Sequence, residues 1–97
     1  MDQSLVDQIA MGMPCTVNSI LKLNLNEGYP ETLKLGLSYQ ASKKGYRIIP
    51  IDVPVQLVDE NWAAHAEVII HKLIWEAQTT RMEFSISKIY PLPIKLK

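Results

Sequence analysis

The sequence predicts an all-β fold: five to six mostly antiparallel strands in a curled sheet or small open barrel, with room for a short N-terminal helix. Three observations predict it. Apolar and polar residues alternate through most of the chain from Cys15 onward, which is the period of half-buried strands. Loop-forming clusters at 26–31, 43–45, 59–62 and 76–79 punctuate that alternation. Hydrophobic residues make up 47% of the 97 positions, enough for one core without a metal or a disulfide to hold it.

Residues 1–12 are the tail or short helix of this scheme, and 13–97 its single β-rich domain. Leu5 and Ile9 are spaced i,i+4 behind a cap at Asp2 or Ser4, and Gly12 and Pro14 then interrupt the chain. From Cys15 the period becomes two. Cys15, Val17, Leu21, Leu23 and Leu25 share a face, with Ser19 and Ile20 out of step. After the loop NEGYPE, Leu33, Leu35, Leu37, Tyr39 and Ala41 alternate with Thr32, Lys34, Gly36, Ser38 and Gln40 as a second strand. A helix competes for 31–44, since Pro30, Glu31, Lys43, Lys44 and Gly45 are good helix punctuation. The pattern favours the strand, because a helix would turn Leu35 and Tyr39 nearly opposite Leu33, Leu37 and Ala41.

The third strand is IIPIDVPVQL, 48–57. Ile49, Ile51, Val53, Val55 and Leu57 alternate, yet Pro50 and Pro54 stand between them. Amides two apart point to the same side, so both missing donors fall on one flank, and that flank cannot carry a regular ladder. The other flank is expected to pair antiparallel with the second strand across a loop of about five residues. That register sets Leu37 opposite Ile51, Leu35 opposite Val53 and Tyr39 opposite Ile49. Residues 64–75 are apolar on both faces in turn, as in a central strand or one bulged near His71. A turn over 76–79 and a strand through Met82, Phe84 and Ile86 complete a hairpin. Its register pairs Trp75 with Thr80, Leu73 with Met82, His71 with Phe84 and Ile69 with Ile86, and brings Lys72 to Glu83 and Glu67 to Lys88. PLPIKLK, 91–97, reads as an extended edge piece with Ile94 and Leu96 inward.

Ten basic and ten acidic residues cancel, which removes the electrostatic footprint of a duplex-binding domain. The one cysteine, Cys15, has no internal partner, fits a reducing compartment and is expected to be inert and half-buried. Residues 1–10 carry two acids and no base, the reverse of a signal-peptide start, and no apolar run reaches membrane-spanning length. A cytoplasmic location without membrane contact is the expectation.

His65 and His71 lie roughly 20 Å apart along a strand and cannot share a metal. His65 and Glu67 offer two ligands and no third. The glycines at 12, 28, 36 and 45 are too scattered for a phosphate loop, and no nucleophile elbow or zinc quartet appears. No catalytic, cofactor-binding or metal-ligating residue is therefore expected, and no cofactor. Lys43, Lys44, Tyr46 and Arg47 do cluster around one loop, mixing cations with rings that can stack on unpaired bases.

MGMPCTVNSI at 11–20 and KKGYRIIPIDVPV at 43–55 resemble a small bacterial family known as a domain of unknown function, DUF2584. Its members open on Met-Gly-Met-Pro and carry Gly-Tyr-Arg before a proline-containing strand. The likeness covers most of 11–90 and implies no activity, cofactor or catalytic residue. The chain departs from the pattern in carrying ten residues before Met11, which leaves 1–10 outside what the resemblance covers. The expected function is a noncatalytic binding module with a protein partner. The alternative is a small β-barrel holding single-stranded nucleic acid at Lys43, Lys44, Tyr46 and Arg47.

Overall fold

The computed structural model describes residues 15–97; the tail or helix expected over 1–12 and the side chain of Cys15 lie outside what it describes. Its elements run β1 Cys15–Val17, β2 Leu21–Lys22, a 3-10 helix Leu25–Glu27, β3 Ser38–Lys44, β4 Tyr46–Ile48, β5 Pro54–Val58, β6 Ala63–Glu76 and β7 Thr79–Lys95. The fold is all-β: one mixed, curled sheet in the order β2-β5-β6-β7-β3, beside a two-stranded parallel sheet of β1 and β4. The break between β1 and β2 falls at the two residues out of step, Ser19 and Ile20.

The sheet curls around Leu21, Leu23, Val55, Leu57, Val68, Ile70, Phe84 and Ile86, all buried. Alternation puts these on one face, and Tyr39 stacks on Phe84 with ring centroids 5.7 Å apart. Among the described residues, strand hydrogen bonds do not close the barrel. Its outermost strands, β2 and β3, are joined by a side chain: Lys43 Nζ donates to the carbonyl of Lys22 and to both oxygens of Glu27, at 3.2 and 3.3 Å. Leu23 N–H donates to Val58, so by alternation the Lys22 carbonyl points away from β5 and, among the described residues, has no strand beyond it to meet. Glu27 is held in turn by a capping box with Asn24, and Gly28, at φ +110, closes the 3-10 turn. A Cβ on Gly28 would come within 2.6 Å of the Gln40 carbonyl, so this turn lies directly on the outer edge of β3.

The prolines behave as their chemistry requires. β5 pairs along its whole length with β6, while its other flank meets β2 only at Leu57 and Val58, beyond Pro54. The strand expected over 48–57 is nonetheless broken. Asp52 takes φ +66, which ends the alternation, so Ile49 and Val55 are buried whereas Ile51 and Val53 face solvent.

The hairpin expected between 33–41 and 46–57 does not form. β3 pairs with β7 instead, Tyr39 opposite Phe84 and Ala41 opposite Met82, and β4 pairs in parallel with β1. Gly45, at φ +81, turns the chain away from β3. Its N–H donates to Gln78 at 2.6 Å, and the buried Thr80 hydroxyl donates to its carbonyl while accepting from Arg47 N–H, both at 2.8 Å. The second strand therefore starts at Ser38, and Leu35 and Leu37 are exposed, with Leu35 bridged to Ile86.

The β6–β7 hairpin has the expected pairs Trp75–Thr80, Leu73–Met82, Lys72–Glu83 and Glu67–Lys88. Between them, a bulge leaves His71 without a partner, so Ile70 rather than His71 faces Phe84 and Val68 rather than Ile69 faces Ile86. An extra residue in β7, Ser87, restores the register at Glu67. His71 is thus exposed rather than at the core edge. Ile94, expected inward, pairs with Ala64 but stays 45% exposed at the open end of the sheet.

Candidate functional site

The four residues singled out for nucleic-acid contact are engaged in different ways. Lys43 turns inward to the Lys22–Glu27 clasp. Tyr46 accepts a hydrogen bond from Gln78 N–H at 3.0 Å and lies 6.2 Å from the Trp75 ring. Arg47 bends back to the Lys44 carbonyl at 2.9 Å, and its own carbonyl accepts from Trp75 Nε1. Lys44 projects into solvent. Gly45 and Tyr46 grip Gln78, which with Ala77 forms a two-residue turn at φ +52 and +58. Such a turn favours Asn-Gly, and the grip from outside stabilises it with Ala-Gln.

Two surfaces stand out. The first is the segment 50–54, in which every residue is exposed and four of the five are apolar. Ile51 is 42% and Val53 46% exposed. Pro50 and Pro54 lock φ at both ends and bias their predecessors to extended backbone, and Asp52 N–H donates to the Ile70 carbonyl at 3.0 Å. The result is a rigid apolar knuckle. Alternation predicts Ile51 and Val53 on the core face; the signal against it is the Asp between two prolines, a turn composition.

The second is a cleft of about 370 Å³ between the 3-10 turn and the outward face of β6, β7 and β3. Register dictates its floor as two cross-strand rows, Lys72–Glu83–Gln40 and Ile74–Arg81–Ser42. Leu25, 73% exposed, stands in the opposite wall. Asn24-x-x-Glu27 is a legible capping box inside what composition presents only as a loop, and it is what makes that wall stiff.

Both histidines are engaged. His65 Nε2 lies 2.7 Å from Asp59 Oδ2, with Tyr29 edge-on to the imidazole at 6.2 Å. Burial alone would raise the Asp59 pKa, but His65 and the N–H groups of Ala63 and Asn61 outweigh it and hold the carboxyl below its ordinary value. Burial, then the Asp59 charge, pushes Tyr29 up to about 12. His71 Nε2 lies 2.8 Å from Ser85 Oγ on an exposed face. Among the described residues no three His, Cys, Asp or Glu side chains gather as metal ligands, and no helix is long and apolar enough to cross a membrane.

The family model described as "Domain of unknown function (DUF2584)" matches residues 11–92. No curated protein matches the chain. Among solved structures, the crystal structure of protein ytmB from Bacillus subtilis is similar in fold. It shares 19% identity at a TM-score of 0.69, over 87% of this chain and 100% of that one.

Proposed function

The chain belongs to the DUF2584 family, and we propose that it is a noncatalytic binding module that engages a protein partner through the 50–54 knuckle. One observation carries the reading: Ile51 and Val53 stand in solvent on a backbone fixed by two prolines and a hydrogen bond to β6. A single exposed isoleucine needs no explanation, but four apolar residues in five, held rigid, form a patch. Fixing them beforehand removes most of the ordering entropy that binding would otherwise cost. A convex apolar knuckle fits a partner that offers an apolar pocket.

The test uses immobilised wild-type protein and the double variant Ile51→Asp/Val53→Asp in a native lysate. The expected result is a partner retained by the wild type and by Lys34→Glu, and lost by the double variant at an unchanged urea midpoint. A partner held equally by the double variant refutes the knuckle, and turnover in a broad substrate screen refutes the noncatalytic assignment.

A further inference from the structure

The cleft beside the 3-10 turn shares no residue with the knuckle and carries a different chemistry. On its floor Lys72 and Glu83 are partners in register, yet among the described residues neither makes an ion pair. Arg81 is held by Glu76 at 2.9 Å, a pair exposed on both sides and hence weak and exchangeable. Two cations, Lys72 and Arg81, thus face the carboxylate of Glu83, while that of Glu27 in the wall is already held by Lys43. An anion alone would leave the Glu83 charge opposed to it, and a cation alone would meet Lys72 and Arg81.

Arg81 and Glu83 are two positions apart on one strand, so their side chains rise roughly 7 Å apart. That is about the separation of the ammonium and carboxylate ends of a dipeptide. The apolar lining includes Ile74 on the floor and Leu25 on the wall. A volume of about 370 Å³ lies in the range of small-molecule sites. The wall is preformed: the Asn24–Glu27 capping box fixes it internally, Lys43 ties it to β3, and Gly28 rests on Gln40.

We propose that this cleft binds a small zwitterion of dipeptide size. The ligand's ammonium sits on Glu83, its carboxylate on Arg81 and Lys72, and an apolar side chain packs between Ile74 and Leu25. The probe is the dipeptide Ala-Leu, titrated into the full chain while backbone amide resonances are followed by NMR. The expected result is saturable shifts at Gln40, Ser42, Arg81 and Glu83. N-acetyl-Ala-Leu and the amide Ala-Leu-NH2 each bind at least about tenfold more weakly, the scale of one lost charge-assisted hydrogen bond. In Glu83→Gln the free and acetylated dipeptides bind alike, and in Arg81→Gln the free and amidated dipeptides differ by less than in the wild type. No saturation at tens of millimolar, equal binding of the capped and free dipeptides by the wild type, or shifts confined to another surface would each overturn the proposal.

Discussion

Replacing Lys43 by methionine keeps the aliphatic stem and removes the ammonium that closes the sheet's seam. The Lys43 side chain is 11% exposed and that of Glu27 28%, so the pair is largely out of water. The ammonium donates to an edge carbonyl and to a carboxylate, and each charge-assisted bond contributes about 1.5–3 kcal/mol. Water still reaches Glu27 and screens the carboxylate's share, which leaves a total of about 2–3 kcal/mol. With an m-value of about 1.5 kcal/mol/M, the urea midpoint falls by roughly 1.3–2 M at unchanged slope. The melting temperature falls by roughly 8–20 °C for a domain of this size. Lys44→Met, one position along and exposed, shifts stability by less than about 0.5 kcal/mol. Glu27→Gln combined with Lys43→Met destabilises less than the sum of the single changes, because both remove the same contact. A Lys43→Met protein within about 0.5 kcal/mol of the wild type, or strict additivity with Glu27→Gln, refutes the clasp.

Three further outcomes are expected from the same structure. Gly28→Ala puts a left-handed backbone and a 2.6 Å contact on the Gln40 carbonyl together, and lowers the urea midpoint well beyond Gly45→Ala, where nothing lies nearer than 4.0 Å and only the backbone cost of about 1–2 kcal/mol remains. Because the Asp59 pKa is depressed in the folded state, its stabilisation is complete above the unfolded carboxyl value and is lost as pH falls through the folded one. Urea midpoints measured from pH 6 down to pH 2 decline more steeply in the wild type than in Asp59→Asn. The same variant moves the Tyr29 transition down from about 12, which a spectrophotometric titration of the tyrosines reads directly.

The β6–β7 hairpin was legible because its partners lie close in sequence: alternation, the turn and two opposite-charge pairs all specified one register. The bulges beside it were legible only in part. Apolar residues on both faces near His71 pointed to an irregularity, but nothing local marks Ser87 as an extra residue. The partner of β3 was not legible. Leu35 and Leu37 alternate as well as Tyr39 and Ala41, and the choice between pairing with β5 and pairing with β7 is made by Gly45, whose groups bind Gln78 and Thr80 far along the chain. The knuckle was hidden in the same way, since Ile51 and Val53 fit an alternating pattern that the backbone at Asp52 abandons. The cleft could not be seen at all from local patterns, because its floor is assembled from three strands and its wall from a fourth segment.

Parallel pairing of β2 with β5 joins Leu21 to Leu57 across a long stretch of chain, whereas β6 and β7 are neighbours through a two-residue turn. Loop closure makes the long-range docking late and readily reversible, so β2 belongs to the least protected cooperative unit of the domain. Slow amide exchange in β6 and β7 beside fast exchange at Leu21–Leu23 is the signature of that order. Each excursion of β2 uncovers Leu21 and Leu23 and frees the β2-facing backbone groups of Val58 on β5, a sticky edge that another molecule can zip onto. A chain lacking a firmly docked β2 would aggregate before it unfolded.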